Sequence, residues 1–221
     1  MQYTLAFDVY GTLIDTTGVS KALKKMIPKK AILFMELWRN KQLEYSFRRG
    51  LMGLFVDFSV CTKDALEYCC TALKVDLSKK QKNFLMNEYK VLPAFADVKE
   101  TLMLLKKSNH HLYAFSNGSH KAVSELLKNS GIIDYFDEVI SVEEVNMFKP
   151  SPLVYQYFND KTNSNASDSW LISGNSFDVI GAASYGMKTV WVQRSAEIVI
   201  DPWEIQPTAI ISNLRALKAV L

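Results

Sequence analysis

Tyr3-Thr4-Leu5-Ala6-Phe7-Asp8-Val9-Tyr10-Gly11-Thr12-Leu13 is a short apolar run that ends abruptly in a carboxylate, with a glycine three residues on. Leu5 to Phe7 carry no polar alternation, which predicts a strand buried on both faces of a parallel sheet, and Gly11 lets the chain turn sharply away. Ligands of open α/β sheets bind beyond the carboxyl ends of the strands, so the spacing places Asp8 where a substrate would sit. Taken alone, Asp8 reads first as the cap of a helix or turn, a common duty of aspartate after a strand. The rest of the chain has to lift it above that reading.

Composition narrows the field. The 221 residues suffice for one large domain or a core with a smaller insert, and 48% hydrophobic content supports a globular protein. Lys+Arg 26 against Asp+Glu 23 leaves a net charge of only +3, with no long basic run, so a small-molecule substrate is expected and no nucleic acid. The first apolar run is too short for a signal peptide and lacks a basic leader, and no segment reaches the ~20 apolar residues of a membrane span. A cytoplasmic protein with no membrane partner is the expectation. Cys61, Cys69 and Cys70 are odd in number and lack CxxC spacing, which points to buried thiols and away from disulfides or zinc. Of the three histidines only His120 lies near a polar loop worth keeping as a candidate.

After Leu13 the pattern is helical for about eighty residues. A long amphipathic helix is predicted from Ala31 to Leu54, single or broken near Gly50 to Gly53, with Ile32, Met35, Leu43 and Phe47 on one face. Arg39 falls in the middle of that face, where an arginine is costly unless it reaches water or an anion. Ser59 or Thr62 is expected to cap the next helix and Ser78 the one after. From Asp97 strands and helices alternate, the sign of a parallel sheet with right-handed crossovers. Predicted strands are His111 to Phe115, Glu138 to Val142, Trp170 to Ile172, Thr189 to Val192 and Ala209 to Ile211, with a closing helix from Leu214 to Val220.

Four strand ends or loops now carry polar residues: Asp8 to Thr12, Ser116 to Ser119, Lys149, and Ser173 to Asp178. Their convergence raises Asp8 from a cap to a candidate nucleophile, with Lys149 as its neighbouring cation.

Asp8-Val9-Tyr10-Gly11-Thr12, Ser116-Asn117-Gly118-Ser119, Lys149-Pro150 and Ser173-Gly174-Asn175-Ser176-Phe177-Asp178 resemble the four motifs of the haloacid dehalogenase superfamily, and within it the L-2-haloacid dehalogenase branch. Leu37 to Tyr45 resembles the substrate-facing helix of that branch. The resemblance implies a Rossmann-like parallel-sheet α/β core from residues 1–14 and 94–221, with an inserted α-helical cap domain over 15–93. It also implies a homodimer through the cap helices. By the same resemblance the substrate is a short L-2-haloacid, Asp8 attacks it, and water then hydrolyses the resulting ester. Lys149 would orient and charge-stabilise Asp8, while Asp178 activates water with Ser173 and Asn175. Thr12, Ser116 and Tyr155 would position Asp8 and the substrate carboxylate; Arg39 and Asn117 would take the halide; Tyr10 and Phe58 would form an apolar wall.

Two positions separate this branch from phosphatase relatives. A second aspartate that protonates a leaving oxygen is replaced by Tyr10, and a departing halide needs no proton. Acidic magnesium ligands give way to Gly174-Asn175, so no metal or cofactor is expected. Phe177 stands where tryptophan is common and Gly174 where serine is common, and both departures are expected to touch the pocket lining. A magnesium-dependent phosphatase and a non-catalytic binding protein of the same fold are the alternatives.

Overall fold

The computed structural model describes residues 2–221 and divides into two compact units, one of residues 2–15 and 93–221 and one of residues 16–92. The first unit is built on six strands: β1 (Thr4–Phe7), β2 (His111–Ser116), β3 (Glu138–Ser141), β4 (Ser169–Ser173), β5 (Lys188–Val192) and β6 (Ala209–Ile211). All pair in parallel, in the order β3-β2-β1-β4-β5-β6. Leu5, Ala6 and Phe7 are fully buried, as an unalternated apolar strand at the centre of a sheet must be. β1 lies between β2 and β4, where the strand order reverses, so the carboxyl ends of β1 and β4 flank the crevice at the topological switch point.

Helices of this unit are α5 (Val98–Lys107), α6 (His120–Asn129), α7 (Pro152–Thr162) and α8 (Ser176–Tyr185). Pro152 opens α7 at a position where its missing N–H costs nothing. The closing helix predicted from Leu214 to Val220 is instead a 3-10 helix over Leu214–Ala219, with Leu214 and Leu217 buried at the i, i+3 spacing that winding favours.

The helical unit comprises α1 (Thr17–Met26), α2 (Ala31–Leu51), α3 (Phe58–Ala72) and α4 (Lys79–Glu88). α2 is one continuous helix. It ends in a Schellman arrangement in which Leu54 N donates to Arg49 O at 2.9 Å and Gly53 takes φ +67°. Its buried stripe is Phe34, Trp38, Gln42, Ser46 and Gly50, so the predicted face is corrected: Ile32 is 65% exposed, and Arg39, Met35 and Leu43 are half-buried. Burial tolerates the polar pair because each finds a partner. Gln42 Nε2 donates to the Tyr89 hydroxyl, Ser46 Oγ to Leu43 O, and Trp38 Nε1 reaches Thr62 O on α3 at 2.8 Å.

Asp57, and neither Ser59 nor Thr62, caps α3 by accepting from Ser59 N at 2.7 Å, while Thr62 Oγ1 turns back to Phe58 O. Ser78 caps α4 in a capping box with Gln81. Cys61, Cys69 and Cys70 are free and buried, and burial pushes the Cys69 thiol up to about 12. No helix among the described residues is long and apolar enough to cross a membrane.

Candidate active site

Asp8 follows β1 directly, and its N–H continues the ladder to Ile172 O of β4 at 3.0 Å. The chain then folds under itself: Gly11 takes φ +79°, and the N–H groups of Leu13 and Ile14 both donate to Val9 O at 3.0 Å. That tight loop aims the Thr12 hydroxyl back at Asp8. Thr12 Oγ1 donates to Asp8 Oδ2 at 2.7 Å and accepts from Gly174 N at 2.8 Å, which fixes the direction of its proton. Asn175 Nδ2 donates to the same Oδ2 at 2.8 Å and to Tyr10 O at 3.1 Å. One oxygen of Asp8 is therefore held twice from fixed directions.

The other oxygen faces Lys149. Its ammonium lies 3.5 Å from Asp8 Oδ1, 2.8 Å from Asp178 Oδ2 and 2.9 Å from Phe115 O, with the Phe115 ring centroid at 4.3 Å. At 1% exposure this is an ammonium withdrawn from water, and its three donors match those three oxygens. The charge sits between two carboxylates and offsets their mutual repulsion. Asp178, in the first turn of α8, is fully buried; burial pushes its carboxyl above the ordinary range, Asp8 adds to that, and Lys149 pulls against it.

Tyr155 departs from its expected place. Its hydroxyl donates to Asp178, 2.9 Å from Oδ1 and 3.1 Å from the main-chain O, so it holds Asp178 in place of Asp8 or a substrate carboxylate. Burial, then the Asp178 charge, push the phenol well above its usual range and keep it a neutral donor. Gly181, on the next turn of α8, makes room for it. A Cβ there would stand 2.6 Å from the Tyr155 hydroxyl oxygen and 2.5 Å from Pro150 Cβ, so only glycine fits without displacing both.

Gly174 does more than the sequence suggests. A Cβ on it would lie 2.5 Å from Gly11 O, so this glycine marks the close approach of two loops, which lets its N–H reach Thr12. Ser173 Oγ is buried and accepts from Asn175 N at 3.1 Å; Ser116 Oγ is buried and accepts from Gly118 N at 3.1 Å. Asn117 Oδ1 accepts from Lys149 N at 3.0 Å, tying the loop after β2 to the lysine loop. The half-buried Tyr10 sets its ring edge beside Gly118, and Phe177 is half-buried near the start of α8. Arg39 on α2 and Phe58 at the head of α3 are half-buried residues of the helical unit. His120 is exposed at the head of α6, its main-chain N–H donating to Glu143.

Phe115 and Gly181 escaped the sequence reading. Phe115 acts through a main-chain carbonyl and a ring face, which no side-chain pattern announces; a glycine inside the helix of Ser176 to Tyr185 was the available signal for Gly181. The donor set also tests magnesium. Asp8 and Asp178 are bridged by an ammonium, Asn175 turns its NH2 group toward Asp8, and position 10 is tyrosine. Among the described residues no group of three or more His, Cys, Asp or Glu could hold an ion. A hard dication wants several oxygen ligands, so these residues do not fit one.

The family model of haloacid dehalogenase-like hydrolase matches residues 5–192. An (S)-2-haloacid dehalogenase of Pseudomonas putida is 34% identical over 214 residues, covering 97% of this chain and 94% of its own. Haloacetate dehalogenase H-2 of Moraxella sp. is 35% identical over 190 residues, 86% of this chain and 85% of its own. The structure of L-2-haloacid dehalogenase from Xanthobacter autotrophicus with chloropropionic acid covalently bound superposes with a TM-score of 0.91 at 26% identity, covering 100% of this chain and 98% of that one.

Proposed function

This chain belongs to the haloacid dehalogenase-like hydrolases, and we propose that within them it converts short L-2-haloalkanoic acids to 2-hydroxy acids with inversion, through an ester on Asp8. It is a hydrolase acting on carbon–halide bonds, the activity that names its relatives. The observation that carries the finer reading is the asymmetry of Asp8. Oδ2 is bound by Thr12 and Asn175, whereas among the described residues Oδ1 has only the longer approach of Lys149.

Oδ1 is thus the oxygen with a lone pair to use. It attacks C2 in line, the new C–O bond forms as the carbon–halogen bond breaks, and halide departs with the electron pair. No proton is consumed, which suits Tyr10. Oδ2 is now the ester carbonyl oxygen, and the two donors already on it polarise that carbonyl. Water adds to Cγ, the negative charge develops on Oδ2, and Thr12 and Asn175 act as its oxyanion hole. Asp178 takes the water proton and the departing alkoxide receives it, so the product hydroxyl keeps the oxygen that was Oδ1. Lys149 balances the charge of the two carboxylates throughout. A relative solved with chloropropionic acid covalently bound supports the ester step. By resemblance Arg39 and Asn117 receive the halide, Ser116 holds the substrate carboxylate, and Tyr10, Phe58 and Phe177 enclose the alkyl group.

Halide release from L- and D-2-chloropropionate in buffer with EDTA tests this directly. Release from the L form alone is expected; release from the D form, or loss of release on chelation, overturns the reading. Turnover of a phosphate ester that stops with EDTA would favour a magnesium phosphatase, and tight ligand binding without turnover a binding protein. The proposal includes a homodimer through the helical unit, where Leu51 is 89% exposed at the end of α2 beside exposed Met52 and Leu54. Light scattering should then give twice the 25.1 kDa chain mass, and a single-chain mass would refute it.

A further inference from the structure

Arg194 opens the long segment between β5 and β6, and its guanidinium is largely buried, the side chain 14% exposed. Nη1 meets Asp97 Oδ2 at 2.6 Å, Nη2 donates to the main-chain O of Thr12 at 2.5 Å, and the plane lies 4.0 Å from the Phe95 ring centroid. Asp97 Oδ2 also accepts from Leu214 N. One fork therefore joins the segment that leaves β1, the segment that returns before α5, and the start of the last 3-10 helix.

As a stability device the arrangement is poor. Burying an ion pair costs desolvation that its attraction only about offsets, and Arg194 Nε is buried without a partner. What the fork does uniquely is fix a peptide group of the nucleophile loop. Thr12 O is pinned by Arg194, and the same residue's hydroxyl, two bonds from that backbone, is aimed at Asp8 Oδ2. Thr12 is also the acceptor of Gly174 N, so a rotation at Thr12 would loosen both loops.

We propose that Arg194 is a positioning residue of the reaction, acting through Thr12 to hold the hydroxyl that binds Asp8 Oδ2. The inference rests on the Asp8 reading above, because Oδ2 is the oxygen that gathers charge during ester hydrolysis. A guanidinium is required since only a planar fork spans the Asp97 carboxylate and the Thr12 carbonyl together; an ammonium on a shorter stem reaches one of them.

Arg194→Lys and Asp97→Asn separate positioning from simple anchoring. The first loses the bridge to Thr12 and the second loses the ion pair while keeping the bridge. Both should lower the melting temperature, but only Arg194→Lys should lower kcat, by about tenfold with KM within about twofold. Amide exchange at Gly174 should quicken in Arg194→Lys alone, with Asp8 N–H protection unchanged. Equal kcat losses in the two variants, or unchanged Gly174 exchange in Arg194→Lys, overturns the proposal. Arg194→Gln replaces the lysine variant if that one fails to fold. A wild-type protein that releases no halide sinks the Asp8 reading, whereas the exchange measurement still decides whether Arg194 holds Thr12.

Discussion

Asp8→Asn is expected to remove halide release, lowering kcat by about 10⁴-fold or more while the protein stays folded. The substitution keeps the shape of the side chain and a carbonyl oxygen for Thr12 and Asn175 to bind, so the loop between β1 and Gly11 has no reason to move. What it removes is the charged oxygen beside Lys149. An amide oxygen is far too weak a nucleophile to expel halide from C2. The wild-type protein supplies the complementary result. In a single turnover with excess enzyme in oxygen-18 water, label should enter the Asp8 side chain and the 2-hydroxy acid should be largely unlabelled, because on the proposed ester route water attacks Cγ and the product carries off Oδ1. Label in the product of the first turnover would mean direct attack by water on C2. A freely active Asp8→Asn variant would remove Asp8 from the chemistry altogether.

The core was legible because its rules are local. Leu5 to Phe7 lack alternation, which only a doubly covered strand allows, and the alternation of strand and helix after Asp97 implies parallel pairing. The face of α2 was not legible, since two of its buried positions are Gln42 and Ser46. Periodicity of apolar residues selects Ile32, Met35, Leu43 and Phe47, whereas the stripe the helix buries runs from Phe34 and Trp38 into the partnered polar residues Gln42 and Ser46. The cap of α3 is ambiguous in sequence for a related reason. Asp57, Ser59 and Thr62 are all competent caps, and backbone geometry at residue 57 decides among them.

At the site, sequence located the side chains and missed their wiring. Asp8, Thr12, Asn175 and Asp178 stand just past strand ends or in a first helical turn, and Lys149 in the turn before α7, where polar residues after apolar runs are conspicuous. Tyr155 sits on α7 among apolar neighbours, and only the packing of α7 on α8 shows that its hydroxyl serves Asp178. Gly174 reads from sequence only as a position that touches the pocket lining, because its approach to Gly11 O has no sequence signature. Arg194 is invisible for the opposite reason: an arginine between Gln193 and Ser195 reads as an ordinary surface charge, and its burial depends on Phe95 and Asp97, far earlier in the chain.

Lys149→Met should cost both activity and stability, and the stability loss should depend on pH in a direction that identifies its cause. Removing the ammonium leaves two carboxylates facing each other in a buried site, so a loss of about 3–5 kcal/mol near neutral pH is expected. Turnover should fall about a thousandfold or more, since the Lys149 ammonium is the cation paired with both carboxylates. Asp178 is already pushed above the ordinary carboxylate value of 3.8 by burial and by Asp8, with Lys149 opposing. Without Lys149 that opposition is gone and its folded value rises further. Between the unfolded and folded values the native state then holds a proton that the unfolded chain has lost, so stability decreases as pH increases. The variant should therefore be closest to wild type near pH 4 and fall progressively behind it as pH rises through the folded value of Asp178, followed by denaturant melts from pH 4 to 8. Lys149→Arg should not restore turnover, because a planar fork cannot occupy the enclosed position between Phe115 O and the two carboxylates. A gap between variant and wild type that stays constant across that range would mean that Lys149 is not the counter-charge of Asp178, and its role beside Asp8 would have to be argued from the nucleophile alone.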